Sequence, residues 1–107
     1  MKVIFHVVDM DRWNATFVNV RDLLKQYPEA EIEIISMNKA AALFGAYQGY
    51  DMSGILGNPR VKFVISKKAM EENNLHENLL PVEVVVEEFA IGRMVKLQQE
   101  GYAYIRV

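Results

Sequence analysis

The sequence predicts an α/β fold, a three-layer α/β/α sandwich built on a mostly parallel five-stranded sheet. Short continuous runs of β-branched and aromatic residues, typical of strands buried on both faces of a sheet, recur along the chain. Segments with apolar residues at helical spacing separate these runs. Strands that alternate with helices require crossover connections, so we expect parallel pairing with helices on both faces.

The first strand and helix are predicted in the first quarter of the chain. Residues 3–8 form an apolar run around His6 that indicates a buried strand. Apolar residues then recur at helical spacing from Trp13 to Tyr27, and Pro28 ends this helix. Asp9 or Asp11 is expected to cap it, because aspartate is favoured at helix N-termini.

The second strand is predicted at residues 31–36, and Asn38 opens a short alanine-rich helix toward Phe44. Residues 45–59 follow neither the helical nor the strand period. They are expected to form a loop that carries large apolar side chains.

The second half of the chain continues the alternation. A third strand is predicted at residues 61–65, and Ser66 is expected to cap a helix that runs to about Asn73. Residues 75–80 are irregular, and Pro81 precedes a fourth strand at residues 82–86.

The last helix is predicted from Phe89 to about Gln98 and is closed by Gly101, where a glycine can adopt a left-handed conformation. A fifth strand follows at residues 102–107. The chain shows no internal repeat and no linker, so we expect one domain over residues 1–107.

Composition excludes several classes of function. The chain of 107 residues contains no cysteine, which rules out thiol chemistry and disulfides. Its net charge of −2 and its lack of a long basic run make nucleic acid an unexpected partner. No apolar stretch is long enough for a membrane span, and the apolar start is too short for a signal peptide, so we expect a cytoplasmic protein.

Polar residues that follow the strands are the first candidates for a site, because ligands of open α/β sheets bind beyond the carboxyl ends of the strands. Asp9 and Asp11 follow the first strand and could bind Mg²⁺ or act as a general base, but helix capping is the favoured explanation. His6 could share such a pocket, or it could be a hydrogen-bonded core or interface histidine. His76 falls in a polar loop and is expected to be exposed.

Ser66, Lys67 and Lys68 follow the third strand, and together they could bind a small anion. The alternative is a serine cap followed by two solvated lysines. The sequence contains no GxSxG elbow and no nucleotide-binding glycine pattern, and it indicates no cofactor and no metal site.

The apolar side chains of the loop indicate either a segment folded over a pocket or an interface with another subunit, and the interface is the favoured interpretation. The residues of this predicted interface are Phe44, Tyr47, Tyr50, Met52, Ile55 and Leu56.

Three segments of the sequence resemble the small cytoplasmic DsrE-like proteins. These are the opening MKVIFHV with Trp13, the central PEAEIEII and, most specifically, the closing QQEGYAYI. The resemblance covers nearly the whole chain. It implies a three-layer α/β domain that assembles as a homotrimer or hexamer.

DsrE-like proteins of sulfur relay carry a persulfide on a cysteine between a strand and a helix. The matching position here is Ser66, within VKFVISKKAM. A serine hydroxyl cannot accept and pass sulfane sulfur as a thiolate does, so this activity is not expected. The stretch 87–93 also departs from the glycine-containing turn that the resemblance implies.

The sequence therefore predicts a non-catalytic, homo-oligomeric DsrE-like protein that binds a small anion, a metabolite or a protein partner, with a possible link to sulfur metabolism. One alternative is an enzyme of non-thiol mechanism that uses Asp9, Asp11, His6 or the two lysines. The other is a purely structural oligomer without a ligand.

Overall fold

The five strands form a single sheet in which every neighbouring pair is parallel. The computed structural model describes residues 1–45 and 49–107. The strands are β1 (Lys2–Val7), β2 (Glu31–Ser36), β3 (Val61–Ser66), β4 (Val84–Glu87) and β5 (Ala103–Arg106), in the order β4-β3-β2-β1-β5. The predicted α/β class and five-stranded sheet are confirmed, and the pairing is parallel throughout.

Among the residues that the structure describes, three α-helices and three short 3₁₀ helices connect the strands. The α-helices are α1 (Trp13–Gln26), α2 (Lys67–Glu72) and α3 (Ala90–Gln99). The 3₁₀ helices are Met10–Arg12, Asn38–Phe44 and Glu77–Leu79. The helix predicted from Asn38 to Phe44 has the expected bounds but is of the tighter 3₁₀ type, and Asn38 opens it with a left-handed φ of 53°.

The first face of the sheet carries the larger core. Trp13 and Phe17 of α1 stack with ring centroids 5.4 Å apart and pack near Phe63 of β3. The Trp13 indole Nε1 donates to the Ala40 carbonyl oxygen at 3.0 Å, which ties α1 to the segment after β2. The helix α2 lies on this face too, because its Ala69 packs against Ile65 of β3. Side chains alternate along a strand, so Ile65 points away from the face that holds Val64.

The second face is covered by α3. The helix buries a stripe against the centre of the sheet, formed by Ala90, Met94 and Leu97 against Ile4, Ile35 and Val64. Helices on both faces make the predicted three layers. Coverage of the second face is incomplete, since all four residues of β5 are exposed and the β4 residues are half-buried.

Two details differ from the sequence prediction. Residues 82 and 83 do not belong to the fourth strand, because the Val84 N–H donates to the Pro81 carbonyl in a turn that leaves Val82 93% exposed. The predicted aspartate cap is also absent: the carboxylates of Asp9 and Asp11 make no capping hydrogen bond, and the Asp9 carbonyl accepts from the Arg12 N–H instead.

Candidate binding site at the carboxyl end of the sheet

The sheet has one topological switch point that positions a site, and it lies between β3 and β4. After β3 the chain turns into α2 on the first face, whereas after β4 it turns into α3 on the second face. Ligands of open α/β sheets bind at such a point, beyond the carboxyl ends of the strands. Ser66 and Glu87 are paired across the two strands at this point.

Ser66 is a helix cap and is buried. Its Oγ accepts a hydrogen bond from the Ala69 N–H at 3.3 Å, which confirms the predicted cap of α2. Lys67 and Lys68 follow it and are exposed. Among residues 1–45 and 49–107, neither lysine has a carboxylate partner within 4.0 Å. The three predicted residues therefore lie together at the switch point, with two uncompensated positive charges.

Glu87 shares one arginine with a second carboxylate. Arg93 donates from Nη1 to Glu87 Oε2 at 3.0 Å, and from Nε to Glu33 Oε1 at 2.8 Å. Burial alone would lower the pKa of Arg93, but its bonds and charge interactions with Glu33 and Glu87 outweigh burial and raise that pKa. This network fixes α3 on the second face, and its one guanidinium offsets only part of the negative charge of the two carboxylates.

Strand alternation brings a second group of polar side chains to the same end of the second face. The His6 ring lies between two partners, with Nδ1 2.6 Å from the Tyr104 hydroxyl and Nε2 3.2 Å from Met37 Sδ. Only 8% of His6 is exposed, and burial, followed by the charge of Arg106, lowers its pKa. The prediction of a hydrogen-bonded histidine is confirmed. His76 is exposed, as predicted.

The two aspartates do not share a site with His6. A cleft of about 570 Å³ opens beyond the ends of β1 and β2, and its lining includes Asp9 but neither Asp11 nor His6. The other lining residues are Val8, Asn38, Lys39, Glu72 and Asn73. Asp11 lies on the surface beside Arg12, 4.0 Å from its Nε. Residues 1–45 and 49–107 contain no group of three or more His, Asp or Glu residues arranged to hold a metal ion.

The apolar loop packs on the core of its own chain. Ile55 is fully buried, so its predicted role in a subunit interface is wrong. The partly buried members of the predicted interface, Phe44, Tyr50, Met52 and Leu56, rest on the same core. They help to line a cavity of about 660 Å³, which agrees with the alternative of a segment folded over a pocket. Tyr47 lies outside the described residues.

The sequence patterns did not predict several residues of this region. Glu33 could have been recognised, because a glutamate inside an apolar strand requires a buried partner. Its partner Arg93 lies 60 residues away, and Tyr104 lies 98 residues from His6, so no local spacing could reveal either pair.

Comparison with known proteins supports the fold. No family model and no curated protein matches the sequence. The structure is similar to that of MTH1491, a protein of unknown function from Methanobacterium thermoautotrophicum, with a TM-score of 0.84 and 25% sequence identity. The match covers 99% of this chain and 98% of that chain. Within the part of the chain that the structure describes, no helix is long and apolar enough to cross a membrane. The chain therefore shares its α/β fold with that protein over nearly the whole length of both chains.

Proposed function

We propose that this protein is a cytoplasmic, homo-oligomeric, DsrE-like binding protein that takes a small oxyanion at the switch point and does not transfer sulfur. The observation that carries the proposal is the position of Ser66, Lys67 and Lys68 at the carboxyl end of β3, beside the switch point where open α/β sheets bind their ligands.

The two lysines at the switch point favour an anion. Lys67 and Lys68 are exposed and lack carboxylate partners among the residues described, so an oxyanion meets two unpaired ammonium groups. Arg93 offsets part of the negative charge of Glu87, which it binds together with Glu33. Ser66 takes the place of the reactive cysteine that the DsrE resemblance implies, so binding without sulfur transfer is the chemistry that remains.

Thermal denaturation tests the anion site. We expect sulfate, sulfite or phosphate to raise the melting temperature, because a ligand that binds only the folded state stabilises it. The gain should vanish in Lys67→Ala/Lys68→Ala and persist in Lys25→Ala/Lys96→Ala, which removes the same charge from other exposed positions. Equal gains in both double variants would contradict the proposed site.

The assembly proposal rests on apolar side chains that a monomer leaves in water. Phe89, Ile91 and Val95 at the start of α3 and on its outer side are 72%, 58% and 50% exposed. By helical spacing, Ile91 and Val95 flank the buried stripe on the side opposite Arg93. Arg93 reaches Glu87 on β4, so these two residues lie on the side of α3 that points away from β4.

Light scattering tests the assembly. We expect a trimer or hexamer at micromolar concentration that dissociates in Ile91→Glu/Val95→Glu, because two buried carboxylates oppose association. Val18→Glu, at an exposed valine of α1, is the matched control and should leave the assembly intact. A monomeric parent protein would overturn this part of the proposal.

A further inference from the structure

A histidine nitrogen and a methionine sulfur meet on the second face of the sheet without any sequence motif that joins them. His6 belongs to β1, Met37 follows β2, and the two side chains bring Nε2 and Sδ to 3.2 Å. His6 is buried and Met37 is half-buried, so the pair lies at the edge of the core.

Two arrangements of protons are compatible with these contacts. A thioether sulfur can only accept, so a direct bond requires the proton on Nε2 and the Tyr104 hydroxyl donating to Nδ1. In the other neutral tautomer, Nδ1 carries the proton and donates to the Tyr104 oxygen. The Nε2 lone pair then faces the sulfur lone pairs, and a cation between them binds both.

We propose that His6 Nε2 and Met37 Sδ form a binding site for a soft monovalent metal ion, Cu(I). Thioether and imidazole ligands suit Cu(I), whereas hard divalent ions prefer carboxylates and carbonyls. The described residues place no cluster of carboxylates here. The charge of Arg106 nearby penalises a divalent ion more than a monovalent one.

The surroundings prepare the histidine as a ligand. Its lowered pKa keeps the ring neutral at physiological pH, so no proton must be expelled before the metal binds. Tyr104 holds Nδ1, in the manner of the outer groups that orient metal-bound histidines.

Admitting the ion requires the two ligand atoms to move apart by about 1 Å. With metal–ligand distances of about 2.0 Å to nitrogen and 2.3 Å to sulfur, as for zinc, a linear arrangement of the two ligands places the two atoms about 4.3 Å apart. The present separation of 3.2 Å must therefore open by about 1 Å. The flexible methionine side chain can supply this change.

Anaerobic titration with Cu(I) against a chromophoric Cu(I) chelator tests the site, with Ag(I) as a redox-inert probe. We expect one ion per chain, and Met37→Leu should weaken binding by about tenfold or more while the fold is kept. Met10→Leu, which removes another partly buried methionine, should not change the affinity. In methionine-methyl NMR spectra, Ag(I) should shift the Met37 signal and leave the Met70 and Met94 signals in place.

Three outcomes would overturn the inference: no binding by the parent protein, equal binding by Met37→Leu, or Zn²⁺ binding as tight as Cu(I). His6→Gln provides a second test of the ligand set if Met37→Leu retains partial affinity. The Cu(I) site shares no residue with the proposed anion site. We therefore expect Lys67→Ala/Lys68→Ala to leave the Cu(I) affinity unchanged.

Discussion

Ser66 and Glu87 face each other across β3 and β4, and the chain leaves these two residues toward opposite faces of the sheet. Ser66 starts α2 by accepting from the Ala69 N–H, and Glu87 positions α3 through Arg93. Ser66 therefore starts the helix on one side of the switch point and Glu87 anchors the helix on the other side, so variants at these two positions alter helix stability as well as any bound ligand.

Ser66→Ala removes the cap of α2. We expect a loss of about 1 kcal/mol in the free energy of unfolding, because the Ala69 N–H loses its partner at the helix start. Urea denaturation measures this loss. Ser66→Asn restores a capping oxygen and should recover most of it; a loss as large as that of Ser66→Ala would show that the hydroxyl has another structural role.

Arg93→Ala leaves the buried carboxylate of Glu33 without its ion pair. The Glu33 side chain is 8% exposed, so we expect a loss of about 3 kcal/mol or more in the free energy of unfolding. Arg12→Ala removes an exposed pair with Asp11 and should cost less than about 1 kcal/mol. Similar losses in the two variants would contradict a buried, essential network.

His6 makes stability depend on pH. Its pKa in the folded protein is lowered from 6.5 by burial and by Arg106, so below about pH 6.5 the unfolded chain binds a proton that the folded chain does not. Stability contributed by neutral His6 is present above that pH and is lost as the pH falls toward the folded-state pKa. Melting temperatures between about pH 5 and 7 should therefore fall less steeply in His6→Gln than in the parent protein.

His76→Gln is the matched control for this pH dependence, because His76 is exposed. It should retain the slope of the parent protein. If the pH dependence of the melting temperature disappears in His76→Gln and persists in His6→Gln, His6 is not its source and the prediction is wrong.

Local sequence patterns predict most of the fold but only part of the candidate binding site. The strand runs, the cap at Ser66 and the end of α3 at Gly101, where φ is 98°, depend on neighbouring residues and could be predicted from the sequence. The strand order and the pairing of Glu33 with Arg93 depend on residues far apart in the chain, so no periodicity reports them.

The apolar loop shows the same limit in another form. Its large apolar side chains predict burial, but the sequence does not show whether they are buried against another subunit or against the core of their own chain, because this depends on tertiary packing. The Arg21 guanidinium donates to the carbonyls of Asp51 and Ser53 and so holds this segment against α1. In this packing Ile55 is buried within its own chain.

A titration with sulfate, followed by amide ¹H–¹⁵N NMR, locates the ligand and so tests whether a small oxyanion binds at the switch point between β3 and β4. We expect saturable shifts that are largest for the amides of Lys67, Lys68 and Ala69. Shifts centred instead on Asp9 and Asn38, or no saturable shift at all, would contradict the proposed site.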